Sequence, residues 1–110
     1  MTLDFDFNGL DTAVHGPVRL GVLAALQVDG KLDFTSLKKR LSTTDGALGM
    51  HLHKLEEAGY IGSSQGFVGR RPRTTYRITV AGRHALLDYL RRMQSLADAV
   101  GLDRKTAEDA

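Results

Sequence analysis

The sequence predicts a mainly α domain with a small β-hairpin (α+β), closed by a long C-terminal helix. Three observations carry that prediction. Residues 41–59 read L-S-T-T-D-G-A-L-G-M-H-L-H-K-L-E-E-A-G, with Leu48, Leu52 and Leu55 at i, i+4 and i+7, one apolar stripe of a helix. Residues 74–79, T-T-Y-R-I-T, alternate Tyr76 and Ile78 with Thr75, Arg77 and Thr79, the pattern of a half-buried strand. Leu86, Leu90, Met93, Ala97 and Val100 then recur at spacings of four, three, four and three, a heptad seam.

With 110 residues and 42% hydrophobic content, the chain is sized for one core. It has no cysteine, which excludes a disulfide framework, thiolate metal sites and thiol oxidation sensing, and suits a reducing cytoplasm. No apolar run reaches the length of a membrane span, and no basic stretch followed by an apolar one opens the chain. A soluble cytoplasmic protein without a membrane partner is expected. Net charge is only +2, but it is unevenly spread. Residues 1–29 hold Asp4, Asp6, Asp11 and Asp29 against Arg19 alone, whereas residues 58–87 hold Arg70, Arg71, Arg73, Arg77 and Arg83 and no acid. Such segregation points to one face made for a polyanion.

Residues 1–9 (M-T-L-D-F-D-F-N-G) lack a helical period and read either as an arm that packs on a neighbour through Phe5 and Phe7 or as a frayed end. A short turn over Leu10–His15 has Asp11 as its cap, and Gly16-Pro17 restarts the chain, since proline fits the first turn of a helix. The first helix then spans about Pro17–Val28 with Leu20, Leu23 and Leu26 inward, and Asp29-Gly30 ends it. Asp33 caps the second helix, with Leu32 and Leu37 as a hydrophobic staple. Phe34, Leu37 and Leu41 form its buried side; Lys38, Lys39 and Arg40 face out. Ser42, Thr43 and Thr44 offer cap oxygens to the third helix, Asp45 places negative charge at its N-terminus, and Gly59 suits a left-handed C-cap. Two helices joined by so short a turn form a helix-turn-helix.

Tyr60-Ile61 starts a short strand. Gly62, Gly66 and Gly69 then mark a loop that carries Ser63, Ser64, Gln65, Phe67 and Val68 and runs through Arg70-Arg71-Pro72-Arg73 into the 74–79 strand. The result is a hairpin with a long basic tip, a wing. Thr79 caps the last helix, in which Leu87 and Leu96 widen the seam. A helix this long cannot bury that side on so small a domain, so Leu86, Leu90, Met93, Ala97 and Val100 are expected to hold a homodimer. The organisation is one domain: an arm (1–9), a core (17–79), a dimerisation helix (80–100) and a mixed-charge tail (101–110) expected to fray.

On the third helix, Gly46, Met50, His53 and Glu57 point away from the leucine stripe, flanked by Ala47, Gly49 and Lys54. An ordinary surface helix is rich in Lys and Glu on that side. A major groove admits a helix whose leading side chains are short or meet base edges. Thr44, Gly46, Ala47, Met50, His53 and Lys54 are therefore candidate DNA-contacting residues. Arg70, Arg71 and Arg73 are candidates for a minor groove or for phosphates. A helix that merely packs is the competing reading, weakened by the basic hairpin that follows.

Other chemistry finds little support. Of His15, His51, His53 and His84, the pair His51 and His53 lies two apart, about 200° around a helix, and cannot share one ion. Neither a metal site nor a cofactor is expected. There is no phosphate-binding glycine loop, nucleophile elbow or pair of carboxylates suited to acid–base work, and Glu56-Glu57 reads as a solvated helix end. An enzyme is not expected.

Several stretches together resemble a known family. They are Pro17-Val18-Arg19-Leu20, Phe34-x-x-Leu37, Thr44-Asp45-Gly46-Ala47-Leu48 and His51-Leu52-x-x-Leu55-Glu56-x-Ala58-Gly59-Tyr60-Ile61. Arg70-Arg71-Pro72-Arg73-Thr74-Thr75-Tyr76-Arg77-Ile78-Thr79-x-x-Gly82-Arg83 follows. In this order and spacing, over about residues 17–90, the chain resembles the short winged helix-turn-helix transcription regulators of the MarR and ArsR type. The resemblance implies a dimer on double-stranded DNA, with the third helix in the major groove, the wing alongside, and His51 at the edge of the helix-three core. A repressor that occludes a promoter is the expected action. A weakly specific, nucleoid-type DNA binder and a winged helix used for protein contacts remain the rival readings. A small-molecule effector is compatible with the resemblance, but no residue demands one.

Overall fold

The computed structural model describes residues 3–102. After a 3-10 turn at Phe7–Gly9, the order is α1 (Pro17–Asp29), β1 (Lys31–Asp33), α2 (Phe34–Leu41), α3 (Asp45–Glu57), β2 (Ile61–Val68), β3 (Arg71–Ile78) and α4 (Val80–Ala99). The strands form one antiparallel sheet in the order β1-β3-β2. This is the expected α+β winged helix with a long last helix. The expected fraying of the tail concerns residues 103–110, which lie outside the described residues, as do residues 1 and 2 of the arm. Within the arm, Phe5 and Phe7 meet edge to face, 4.7 Å between ring centroids.

Helix boundaries follow the caps. Asp33 accepts a hydrogen bond from the Ser36 N–H at 2.8 Å, Thr44 from Ala47 at 3.2 Å and Thr79 from Gly82 at 3.0 Å. The α2–α3 turn passes through Ser42 in the left-handed region (φ 51, ψ 47). At the end of α3, Gly59 (φ 78) lets its own N–H reach the Glu56 carbonyl and that of Tyr60 reach Leu55. These two bonds satisfy carbonyls that a helix end leaves open.

Two features depart from expectation. β1 was not foreseen as a strand: three residues carry no readable period, and only pairing of Lys31, Leu32 and Asp33 with Arg77, Tyr76 and Thr75 defines it. The supposed loop at 62–69 is mostly strand. β2 runs to Val68, and only Gly69 and Arg70 connect it to β3. Gly62 and Gly66 stand opposite Arg77 and Arg73, and a Cβ at Gly62 would lie 2.9 Å from the Arg77 guanidinium. Gly62 leaves room for the Arg77 guanidinium across the ribbon, the position of a Gly66 Cβ is open, and neither glycine breaks the pairing. A positive φ at Gly69 (62°), not shared by Arg70, fits a two-residue hairpin turn.

Leu23, Leu26, Leu37, Leu48, Leu52 and Leu55 fill the core between the helices, and Ile61, Tyr76, Ile78 and Tyr89 close it from the sheet and α4. Leu86 is only 6% exposed and belongs to this core, with Met93 packed against it. The expected heptad seam is thus divided, because its inner edge serves the chain's own core. Leu87 and Leu90 stay about half exposed.

Where α4 begins, Gly82 presses on Tyr60. A Cβ there would lie 2.9 Å from the Tyr60 carbonyl carbon and closer still to its oxygen. Backbone cannot move aside as a flexible side chain can. Gly82→Ala is expected to lower stability by about 1–3 kcal/mol or more, the range for overpacking, read as a lower urea midpoint at unchanged slope.

Candidate nucleic-acid interface

α3 is held on one side by Leu48, Leu52 and Leu55, all buried. Its opposite side is open. Thr44, Gly46, Met50, His53 and Lys54 are exposed, with Ala47 and Gly49 half-buried between them. Among the described residues, nothing beyond the adjoining turn of the helix itself lies within 4 Å of a Cβ built at Gly46 or Gly49, so close approach to the helix there is open. The Thr44 oxygen accepts the capping bond, which leaves its hydroxyl proton for a partner. His53 Nε2 lies 2.7 Å from Glu57 Oε1, and Lys38 Nζ lies 2.9 Å from Asp45 Oδ1. Both are exposed pairs, each worth at most about 1 kcal/mol, so a phosphate can compete for the Lys38 ammonium and for a hydrogen bond from the His53 ring.

His51, on the same helix, does a different job. It is half-buried and accepts a hydrogen bond at Nδ1 from Arg19 Nε (3.0 Å), while Arg19 Nη1 also donates to the Thr12 carbonyl (3.1 Å). One guanidinium therefore ties α3 to α1 and to the turn before it. Burial, and secondly the Arg19 charge, push the imidazole pKa below its ordinary 6.5. The sequence placed His51 at the core edge but offered no sign of Arg19, since a contact across 32 positions leaves no periodic trace.

The three wing arginines differ in setting. Arg70 sits in the turn and Arg71 beside Val68 in the last pair of the ribbon. Arg73 reaches back to Asp33, 3.1 Å from Nε to Oδ2. Asp33 also caps α2, so this ion pair couples the wing to the helix-turn-helix. Hydrogen bonds from Ser36 hold the Asp33 carboxyl below the ordinary range against a cost of burial, and Arg73 and Lys39 add to the lowering. The basic tip is not a flexible loop but a paired ribbon with one braced arginine. Alternation places Arg71, Arg73 and Arg77 on one side of β3, away from buried Tyr76 and Ile78. Lys31, paired with Arg77, extends that side. Arg77 and Lys31 are basic positions that sequence reasoning did not select; the period-two pattern of 74–79 was the available signal for Arg77.

A family model of the winged helix DNA-binding domain matches residues 18–97. The chain belongs to that family. An uncharacterized protein of Methanocaldococcus jannaschii is 38% identical over 73 residues, 66% of this chain and 79% of that protein. The structure of a transcriptional regulator homologue from Pyrococcus horikoshii OT3 matches with a TM-score of 0.74 at 30% identity, over 82% of this chain and 89% of the other. A regulator of the ArsR family matches with a TM-score of 0.55 at 27% identity, over 83% of this chain and 89% of its own. The resemblance to winged helix-turn-helix regulators is upheld. No helix among the described residues is long and apolar enough to cross a membrane.

The His51 setting has a pH consequence. With its native pKa depressed below 6.5, the unfolded chain takes up this proton first as pH falls. The stability it contributes is full above pH 6.5 and is lost as pH drops through the native pKa. His51→Gln, which keeps an acceptor for Arg19, is expected to flatten the decline in melting temperature below pH 6.5. An unchanged slope would assign that decline to other groups.

Proposed function

We propose that the chain is a homodimeric, sequence-specific regulator of double-stranded DNA, acting in the cytoplasm as a repressor that occludes a promoter. The observation that carries this reading is the open outer side of α3, with room for an approaching surface at Gly46 and Gly49 and a fully packed leucine side behind it. Met50 offers apolar contact to a thymine methyl, His53 a hydrogen bond to a purine acceptor, and Thr44 and Lys54 donors to phosphate or base. Arg70 and Arg71 supply phosphate or minor-groove contacts from the wing, and Arg73 sets the wing's angle through Asp33. Membership in a DNA-binding family and likeness to a transcriptional regulator homologue support the reading.

The dimer face follows from what α4 leaves uncovered. Val80, Leu87 and Leu90 are exposed, and Leu87 and Leu90 line a groove of about 280 Å³ with Gln27, Arg83 and Leu86. Ala97 and Val100 continue the helix toward its C-terminus. A second copy's α4 is the occupant that fits an apolar groove on a helix of this length. The contact then centres on Leu87 and Leu90, with Leu86 and Met93 supporting it from the core.

Operator sequences selected from random oligonucleotides provide the substrate for the test. Met50→Ala or His53→Ala is expected to reorder single-base operator variants by about 1–3 kcal/mol per affected pair at unchanged melting temperature. Arg70→Ala and Arg71→Ala are expected to weaken all sequences alike and to reduce the salt slope by about one unit per lost phosphate contact, doubled in a dimer. Unchanged rankings with strong binding would favour the weakly specific binder; no binding at low salt would favour the protein-contact module.

Leu90→Glu is expected to give monomers in sedimentation. If the wild-type chain is already monomeric at tens of micromolar, about the range of a weak self-association, the dimer is refuted.

A further inference from the structure

The wing ends in an apolar side chain that neither the core nor the helix-turn-helix uses. Phe67 is 74% exposed and its neighbour Val68 56%. Phe67 pairs with Pro72, and Val68 with Arg71, as the last two pairs before the Gly69–Arg70 turn. Alternation puts Phe67 and Pro72 on the same side of the ribbon as Tyr76 and Ile78, but beyond the stretch that the core covers.

A single exposed apolar residue is ordinary on a protein surface. Three features set this one apart. It stands at the extremity of a ribbon whose register is unbroken from Ile61↔Ile78 to Val68↔Arg71. Arg70, in the turn, and Arg71, on the other side of the ribbon, stand next to it along the chain path, and among the described residues neither has a carboxylate within ion-pair reach. The ribbon is braced near its middle by Arg73 on Asp33. A braced arm whose end carries an apolar side chain on one side and cations in the turn and on the other side matches a partner that is polyanionic outside and apolar within. Stacked base pairs beneath a phosphate backbone have that character. A two-residue turn is the narrowest end of a hairpin, but with strands about 4.8 Å apart it still needs a minor groove opened beyond its usual width of about 6 Å, as at a kinked step.

We propose that Phe67, backed by Pro72 on the same side of the ribbon, is a wedge that the wing inserts between base pairs from the minor groove, while Arg70 and Arg71 hold the flanking phosphates. The proposal rests on the DNA-binding reading above and adds a second source of sequence preference to it. Apolar side chains inserted this way unstack a base step and kink the duplex. The wing then favours steps that deform easily, such as TA. Arginines alone would choose the opposite, the narrow groove of a stiff A-tract.

That contrast supplies the test. Two duplexes of equal length and base composition are compared at low salt, one alternating T and A, the other an A-tract, each with 2-aminopurine replacing a set of adenines. The wild-type protein is expected to prefer the alternating duplex by about tenfold, the scale of one favourable step, and to raise its fluorescence by unstacking. Phe67→Ala is expected to lose both the preference and the fluorescence rise while keeping the salt slope and the melting temperature. Phe67→Leu, still a wedge, is expected to retain both. A wild-type preference for the A-tract overturns the proposal, as does Phe67→Ala with unchanged preference and fluorescence. Binding to anionic lipid vesicles that depends on Phe67, without DNA unstacking, overturns it in favour of a membrane surface. Failure to bind either duplex removes the DNA-binding reading as well, which separates that failure from failure of the wedge alone.

Discussion

The junction of Gly59, Tyr60, Thr79 and Gly82 is the constraint on which the rest of the molecule depends. The Thr79 hydroxyl donates to the Gly59 carbonyl at 2.6 Å and accepts the capping bond from Gly82, while the Thr79 N–H donates to the Tyr60 carbonyl at 3.0 Å. Gly82 closes against that same Tyr60 backbone. Four element ends meet there: the C-terminus of α3, the start of β2, the end of β3 and the N-terminus of α4. The angle between α3, the wing and α4 is therefore set by backbone contacts at one point. A further bond from the Tyr60 hydroxyl to Asp11 at 2.5 Å brings the segment before α1 into the same knot. The Asp11 hydrogen bond, and secondly burial, push the Tyr60 pKa up, so this phenol stays a donor at neutral pH.

This junction also explains why the stretch G-Y-I followed at a distance by T-x-x-G carried so much of the family resemblance. Each position has its own physical demand: a left-handed residue, a carbonyl to accept, a hydroxyl that both donates and accepts, and a residue without a Cβ. The four helices were legible for a related reason. Asp33, Thr44 and Thr79 are caps whose effect is local, and the leucines keep a helical period beside them. The wing was half legible. Tyr76 and Ile78 alternate visibly, but Gly62 and Gly66 look like breakers until the arginines opposite them are known. β1 was not legible at all, being defined by its partner.

The candidate interface was legible as a set of residues and not as a set of roles. Met50 and His53 face out as their wheel positions require, with Met50 51% exposed. Arg73 was grouped with Arg70 and Arg71 by adjacency, whereas the fold gives it a carboxylate 40 positions away in sequence. The α4 seam shows the same limit. Heptad spacing marks an apolar side without saying how much of it the domain itself consumes, and Leu86 is consumed.

The wing's composition also bears on how this chain avoids its own kind. β1 covers β3 only at Thr75, Tyr76 and Arg77, so the length from Arg71 to Thr74 is an open sheet edge. Open edges invite strand addition from another molecule and, from there, aggregation. Pro72 has no N–H to offer such a strand, and the guanidinium groups of Arg71 and Arg73 repel an identical copy. From Gly62 to Gly66 the glycines and serines on β2 give the other edge little apolar surface to stick with, and its exposed apolar residues, Phe67 and Val68, are confined to the tip. The same basic, proline-interrupted ribbon that is proposed to meet a polyanion thereby opposes the zipping together of concentrated protein through its sheets.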